Sequence, residues 1–162
     1  MNQLVPAGKR SLQDVTAETQ DYVTMFIDGQ MFGIPVLTVQ DVLGPQKITC
    51  IPLAPKEVAG NLNLRGRIVT AIDVRLRLGL SPRQGEKARM SVVVERSGEL
   101  FSLMVDQVGE VLSLRAAAFE RNPPTLDPLW RDFSAGIYRL DGKLMVVLDV
   151  ERLLDLGRGD AV

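Results

Sequence analysis

The side chains that carry most enzyme chemistry are nearly absent from this chain. Its 162 residues include no histidine, which removes the commonest general base, the commonest metal ligand and any phospho-accepting imidazole. Cys50 is the single cysteine, so neither an internal disulfide nor a cysteine-based zinc site can form. With no imidazole to generate its thiolate, Cys50 is expected to be a small packed hydrophobe rather than a nucleophile. Asp73 and Asp149 stand at matching places in two similar stretches and could form an acid–base pair. An aspartate between a strand and an apolar helix is also what an N-cap requires, and capping is the expected role. Gly60, Gly66 and Gly79 lack the spacing of a phosphate loop. No catalytic, cofactor-binding or metal-binding constellation is legible, which leaves recognition of other molecules as the chemistry to consider.

Charge is balanced overall and uneven locally. Nineteen basic residues face twenty acidic ones, for a net charge of −1, so no global field draws in nucleic acid or an anionic membrane. From Lys56 to Arg89, however, Lys56, Arg65, Arg67, Arg75, Arg77, Arg83, Lys87 and Arg89 outnumber Glu57, Asp73 and Glu86. This segment reads as a solvated face or as a surface for an acidic partner. A small β-barrel nucleic-acid-binding protein using residues 56–89 is the alternative function, weakened because the segment has no aromatic ring to stack on a base. No apolar run approaches the roughly 20 residues needed to cross a bilayer. Residues 1–20 lack the apolar core of a signal peptide and read as a mobile polar tail. The single cysteine fits a reducing compartment.

The elements that must position a binding surface are short strands. Tyr22 to Asp28 is rich in β-branched and aromatic residues, Asp28-Gly29 is a hairpin turn, and Met31 to Val36 returns, with Pro35 at a sheet edge or strand end. Val36 to Leu43 is ambiguous between helical turn and strand. Arg67 to Ile72 reads as a strand and Asp73 to Leu80 as a short capped helix. After a polar linker, Met90 to Arg96, a Ser97-Gly98 turn, Leu100 to Val105 and the apolar Val108 to Leu114 repeat the order. Asn122 to Phe133 is Pro-rich and reads as a loop. Ile137 to Leu140, Asp141-Gly142 and Lys143 to Leu148 form a hairpin, and Asp149 caps a helix with Val150, Leu153 and Leu154 on one face. A shift of 76 lays Gly60–Leu80 on Gly136–Leu156 without a gap, and a shift of 69 lays Phe26–Leu43 on Glu95–Leu112. The expected architecture is all-β, made of two similar units, about 21–88 and 89–156, that pack on each other because neither buries much core alone. Strand exchange between the units is left open. At the position of Asp141 in the second unit, the first carries Arg65, a residue with no turn advantage.

The string Gly60-Asn61-Leu62-Asn63-Leu64-Arg65-Gly66, followed by an apolar strand and Asp73-Val74-Arg75, resembles the signature of the CheW family of bacterial chemotaxis coupling proteins. The block Phe32-Gly33-Ile34 through Val39-Gln40-Asp41-Val42 is similar to a second signature of that family, which usually has Glu where Asp41 stands. Val105-Asp106 through Val108 to Val111-Leu112-Ser113-Leu114 matches a third. The resemblance runs from about Asp21 to Leu156, leaving 157–162 as a tail. It implies two SH3-like β-barrels side by side with short helices, and a non-catalytic adaptor without cofactors. It also implies partners: the cytoplasmic tips of methyl-accepting chemoreceptors, the regulatory domain of the CheA histidine kinase, and further copies in arrays, with no nucleic acid and no membrane insertion. The location it implies is cytoplasmic, recruited to inner-membrane receptor arrays. By the same resemblance Arg65 is the motif arginine and Asp41 its carboxylate, expected to pair on a receptor-facing surface shaped by Val39, Gly60 and Asn63, with Val105 and Val108 also at partner contacts.

Overall fold

In a computed structural model of the chain, which describes residues 18–82 and 89–156, ten strands follow the turn chemistry closely. The tail read over residues 1–20 lies outside the described residues as far as position 17, and the first strand already begins at Thr19. The strands are β1 (Thr19–Ile27), β2 (Gln30–Pro35), β3 (Val39–Leu43), β4 (Val58–Leu64), β5 (Arg67–Asp73), β6 (Met90–Arg96), β7 (Glu99–Val105), β8 (Gln107–Arg115), β9 (Ser134–Leu140) and β10 (Lys143–Leu148). Three four-residue helices, α1 (Val74–Arg77), α2 (Pro128–Arg131) and α3 (Val150–Leu153), are the only α-helices among the described residues. Pro35 ends β2 in front of a 3₁₀ turn, Val36–Thr38, and β3 follows, which resolves the ambiguous stretch as turn and then strand. The Pro-rich stretch read as pure loop contains α2, where the Asp127 carboxylate accepts the Leu129 N–H at 2.8 Å and Pro128 fills the first turn.

Asp73 and Asp149 are caps, not a pair. Each carboxylate accepts an N–H three residues on, from Leu76 at 3.3 Å and from Arg152 at 3.2 Å, and each opens its own helix.

The strands form two sheets, ordered β8-β1-β2-β10-β9 and β3-β6-β7-β5-β4. Each sheet takes two strands from one repeat and three from the other. The hairpin β1–β2 joins β8, β9 and β10, while the hairpin β6–β7 joins β3, β4 and β5. The repeats join through the parallel ladders Met145↔Met31 to Val147↔Gly33 in the first sheet and Val69↔Leu100 to Asp73↔Met104 in the second, and through the antiparallel pairings β1–β8 and β3–β6. Registers superimpose under the sequence shifts. Tyr22↔Pro35 becomes Ser91↔Met104, Tyr138↔Met145 becomes Leu62↔Val69, and Val39↔Val94 becomes Met25↔Val108. The two-offset repeat is therefore a structural pseudo-two-fold.

Alternation along the strands sends one face of both sheets into a common core. Val23, Met25, Ile27, Phe32 and Ile34 meet Ile72, Val92, Val94, Leu103, Val105 and Val146 there. Burial of each such side chain contributes about 1.5–3 kcal/mol. The opposite faces carry separate clusters, Leu62, Val69, Ala71, Val93 and Leu100 on the second sheet and Tyr22, Tyr138, Met145 and Val147 on the first. A polar clamp crosses the junction. Arg75 of α1 reaches Asp106 after β7 and Asp28 of the β1–β2 turn, while the Asp28 N–H donates to the same Asp106 carboxylate at 2.8 Å.

Because neither sheet is complete within one repeat, the two halves should fold only together. Fragments 1–82 and 89–162, prepared separately, should each lack strand circular dichroism, and an equimolar mixture should recover it. Native-like strand signal from either fragment alone would contradict the exchange of hairpins.

Candidate partner-binding site

The turn between β4 and β5 is where the two repeats part chemically. Leu64 pairs with Arg67, so Arg65 and Gly66 alone make the turn, with φ of 50° and 85°. Positive φ at both central residues is the primed turn that matches strand twist. In the matching turn of the second repeat, Gly142 has a φ of 71°, while Asp141 is not among the positive-φ residues. The left-handed conformation thus falls on arginine, where it costs on the order of 1 kcal/mol. Asn63 braces the turn, its side-chain oxygen accepting the Gly66 N–H at 3.0 Å.

Arg65 extends from this turn to the far edge of the same sheet. Its Nη2 lies 3.0 Å from Asp41 Oδ2 on β3, with the arginine side chain 75% exposed and the aspartate 25%. Asp41 Oδ1 accepts the N–H of Val42 at 2.9 Å, and a bulge between Val39 and Asp41 sets the strand's register there. The ion pair joins the β4–β5 hairpin at one end of the sheet order to β3 at the other. An exposed pair of this kind is worth about 0–1 kcal/mol, no more than the strain at Arg65. The equivalent positions in the other sheet are Glu110 and Asp141, two acids, so nothing in the pseudo-symmetry requires a cation here.

The other expected site residues divide. Asn63 is exposed beside Arg65. Val39 and Val108 are half-buried on the common core, each next to an exposed valine of its own strand, Val42 or Val111. Gly60 and Val105 lie inside. A Cβ on Gly60, at φ 149°, would sit 2.1 Å from the Thr49 carbonyl oxygen, because Thr49 bridges to Asn61. Val105 is fully buried. Both act through the fold and offer no side-chain surface. Cys50 is corrected from packed to exposed, since the 44–57 loop packs through Ile48 and its Thr49 bridge.

Several arginines of the basic segment are engaged within the fold. Arg67 donates to the Gly98 carbonyl at 3.2 Å, Arg75 serves the clamp, and Arg89 forks onto Asp73 with two bonds of 3.1 Å. Arg77 bonds the carbonyls of Arg152, Leu153 and Asp155 at the C-terminal end of α3 and stacks 4.6 Å over Phe133. Arg75, Arg77 and Arg89 thus hold elements of the fold together. Arg83, Glu86 and Lys87 lie outside the described residues. Sequence reasoning missed the exposure of Ile68, at 71%, directly across from Asn63. Its place in the run Ile68-Val69-Thr70-Ala71-Ile72 reads as buried strand, and only the end of a hairpin leaves it uncovered.

Residues 21–158 match the model of the CheW-like domain. The chain belongs to the CheW-like family. Relatives include the Chemotaxis protein CheW of Klebsiella aerogenes, 27% identical over 91% of this chain and 90% of that protein, and that of Thermotoga maritima, 26% identical over 90% and 94%. Among solved structures, the scaffolding protein TtCheW from Thermoanaerobacter tengcongensis superposes with a TM-score of 0.78 at 29% identity, covering 89% of this chain and 97% of that one. The two five-stranded sheets are accordingly two SH3-like subdomains, and the chain is a non-catalytic CheW-like scaffold of chemotaxis signalling. No helix among the described residues is long and apolar enough to cross a membrane.

Two substitutions separate surface from scaffold. Arg65→Gly relieves the left-handed strain as it removes the ion pair, so stability in urea should stay within about 1 kcal/mol of the parent. Gly60→Ala forces a Cβ against backbone and should lower stability by about 2–4 kcal/mol. Equal melting of the two variants would show that the division is wrong.

Proposed function

We propose that the chain couples chemoreceptor cytoplasmic tips to the regulatory domain of a CheA-type histidine kinase, in the cytoplasm at inner-membrane receptor arrays, where copies also meet one another. In this reading the corner formed by Arg65, Asp41 and Asn63, flanked by Val39 and Val42, faces the receptor. The observation that carries it is the exposed guanidinium of Arg65, held in a strained turn by an ion pair that adds little to stability. A side chain the fold does not need, fixed in direction by a carboxylate, is suited to orienting a partner: the planar fork keeps donors free beyond the one Asp41 takes. Exposed Ile68 on the same hairpin and Val42 beside Asp41 add apolar area to this polar centre, the mixture that protein interfaces use.

The test is kinase activity in a reconstituted mixture of receptor fragment, kinase and this chain. Arg65→Ala should reduce activation at least several-fold while the melting temperature stays within a few degrees. The exchange Arg65→Asp with Asp41→Arg should restore less than parental activity if Arg65 also touches the receptor. Full activity of Arg65→Ala would remove the corner from the interface.

A further inference from the structure

Four hairpins of the molecule turn on a residue followed by glycine. Asp28-Gly29, Arg65-Gly66 and Ser97-Gly98 have positive φ at both residues, 54° and 79°, 50° and 85°, 53° and 82°. In Asp141-Gly142 only the glycine lies there, at 71°. Aspartate and serine are short, and aspartate tolerates the left-handed region well. Arg65 is the one long side chain at such a position in these hairpins. Its turn also carries a brace, because Asn63, three residues before the glycine, accepts the Gly66 N–H on its Oδ1 at 3.0 Å. Phe26, Glu95 and Arg139 stand at that place in the other hairpins. Phenylalanine and arginine have no acceptor to offer, and Arg139 is paired with Glu120 at 3.0 Å.

The two equivalent turns make the sharpest comparison. Where Arg139 replaces Asn63, Asp141 lies outside the positive-φ region, although aspartate enters that region more easily than arginine does. Where Asn63 is present, the less tolerant residue is held in it. Backbone φ fixes the direction of the Cα–Cβ bond, so the left-handed form sets the line along which the guanidinium reaches Asp41, 3.0 Å away on the far edge of the sheet. We infer that Asn63 is a positioning residue for partner recognition: its amide oxygen holds the turn in the form that aims Arg65, and it acts on the receptor through that guanidinium alone. The bond is exposed, and its net worth is of the same order as the strain it offsets. Losing it redistributes Arg65 between aimed and unaimed forms while leaving the sheet intact. The inference rests on the receptor reading of the Arg65 corner.

The test is a double-mutant cycle on the full chain, read as affinity for a receptor cytoplasmic fragment, with amide exchange of Gly66 reporting on the brace. Asn63→Ala should speed Gly66 exchange and weaken binding about five-fold, the effect of one exposed hydrogen bond on a two-state turn. Its melting temperature should stay within a few degrees of the parent. In the Arg65→Ala background the same substitution should change affinity by less than about two-fold. Asn63→Asp, which keeps an acceptor at the same place but loses the amide donor, should bind closer to the parent than Asn63→Ala does. Equal losses from Asn63→Ala in the two backgrounds overturn the inference, since Asn63 would then touch the receptor itself. Parental affinity of Asn63→Ala overturns it, as does Asn63→Asp binding no better than Asn63→Ala. Failure of Asn63→Ala to fold does so too, because the brace would then belong to the scaffold. Unchanged affinity of Arg65→Ala is the separate result that removes the receptor reading, and this inference with it.

Discussion

Everything in this structure depends on the exchange of hairpins across the pseudo-two-fold. A two-stranded hairpin has two open edges and one apolar face, and alone it is marginal in water. Here β1–β2 is completed by β8 and β10, and β6–β7 by β3 and β5. The common core of Met25, Ile27, Phe32, Val92, Leu103 and Val146 then draws on both repeats at once. The Arg75 clamp has the same logic in polar form, because one guanidinium reaches a carboxylate of each hairpin's surroundings, Asp28 and Asp106. The two barrels thus share one core, and each is built from strands of both repeats.

Against that pseudo-symmetry, the informative residues are those where the copies differ. At the β4–β5 turn, arginine takes a backbone conformation that its counterpart Asp141 is spared. Behind the second sheet, serine and leucine stand where the first has two tyrosines. The shared positions make the barrels, and the unshared ones make one barrel unlike the other. A symmetric scaffold thereby acquires a defined direction, which an adaptor needs if it is to hold dissimilar partners on different sides.

Much of this was legible in the chain. Asp28-Gly29, Ser97-Gly98 and Asp141-Gly142 announced three hairpins because few residues tolerate the required φ, and Asp73 and Asp149 announced caps. The two sequence offsets anticipated registers that the ladders reproduce. What escaped depended on distant segments. Strand β4 was hidden because Gly60, Asn61 and Asn63 have poor strand propensity, and the Thr49 bridge that holds it lies outside its own stretch. The basic segment looked like a surface because local composition cannot show that Arg77 turns toward the carbonyls at the C-terminal end of α3 or that Arg89 grips Asp73. Cys50 looked buried by residue type alone. Of the candidate site, the Arg65–Asp41 pairing came through the family resemblance. The solvent exposure of Ile68 and the burial of Gly60 and Val105 required the fold.

The exchanged topology also constrains how the chain is made. Strand β1 pairs with β8, so Phe26 must wait for Gln107 and Thr19 for Arg115. At a synthesis rate of about 5–20 residues per second, the first hairpin stands with both edges unpaired for roughly 4–16 s before β8, the earlier of its two neighbours, leaves the ribosome. Long-range pairing of this kind is slow and prone to aggregation. The nascent hairpin carries Tyr22, Val23, Met25, Ile27, Phe32 and Ile34, all destined for burial. The interval in which these side chains lack their partners is fixed by strand order, not by the stability of the finished molecule.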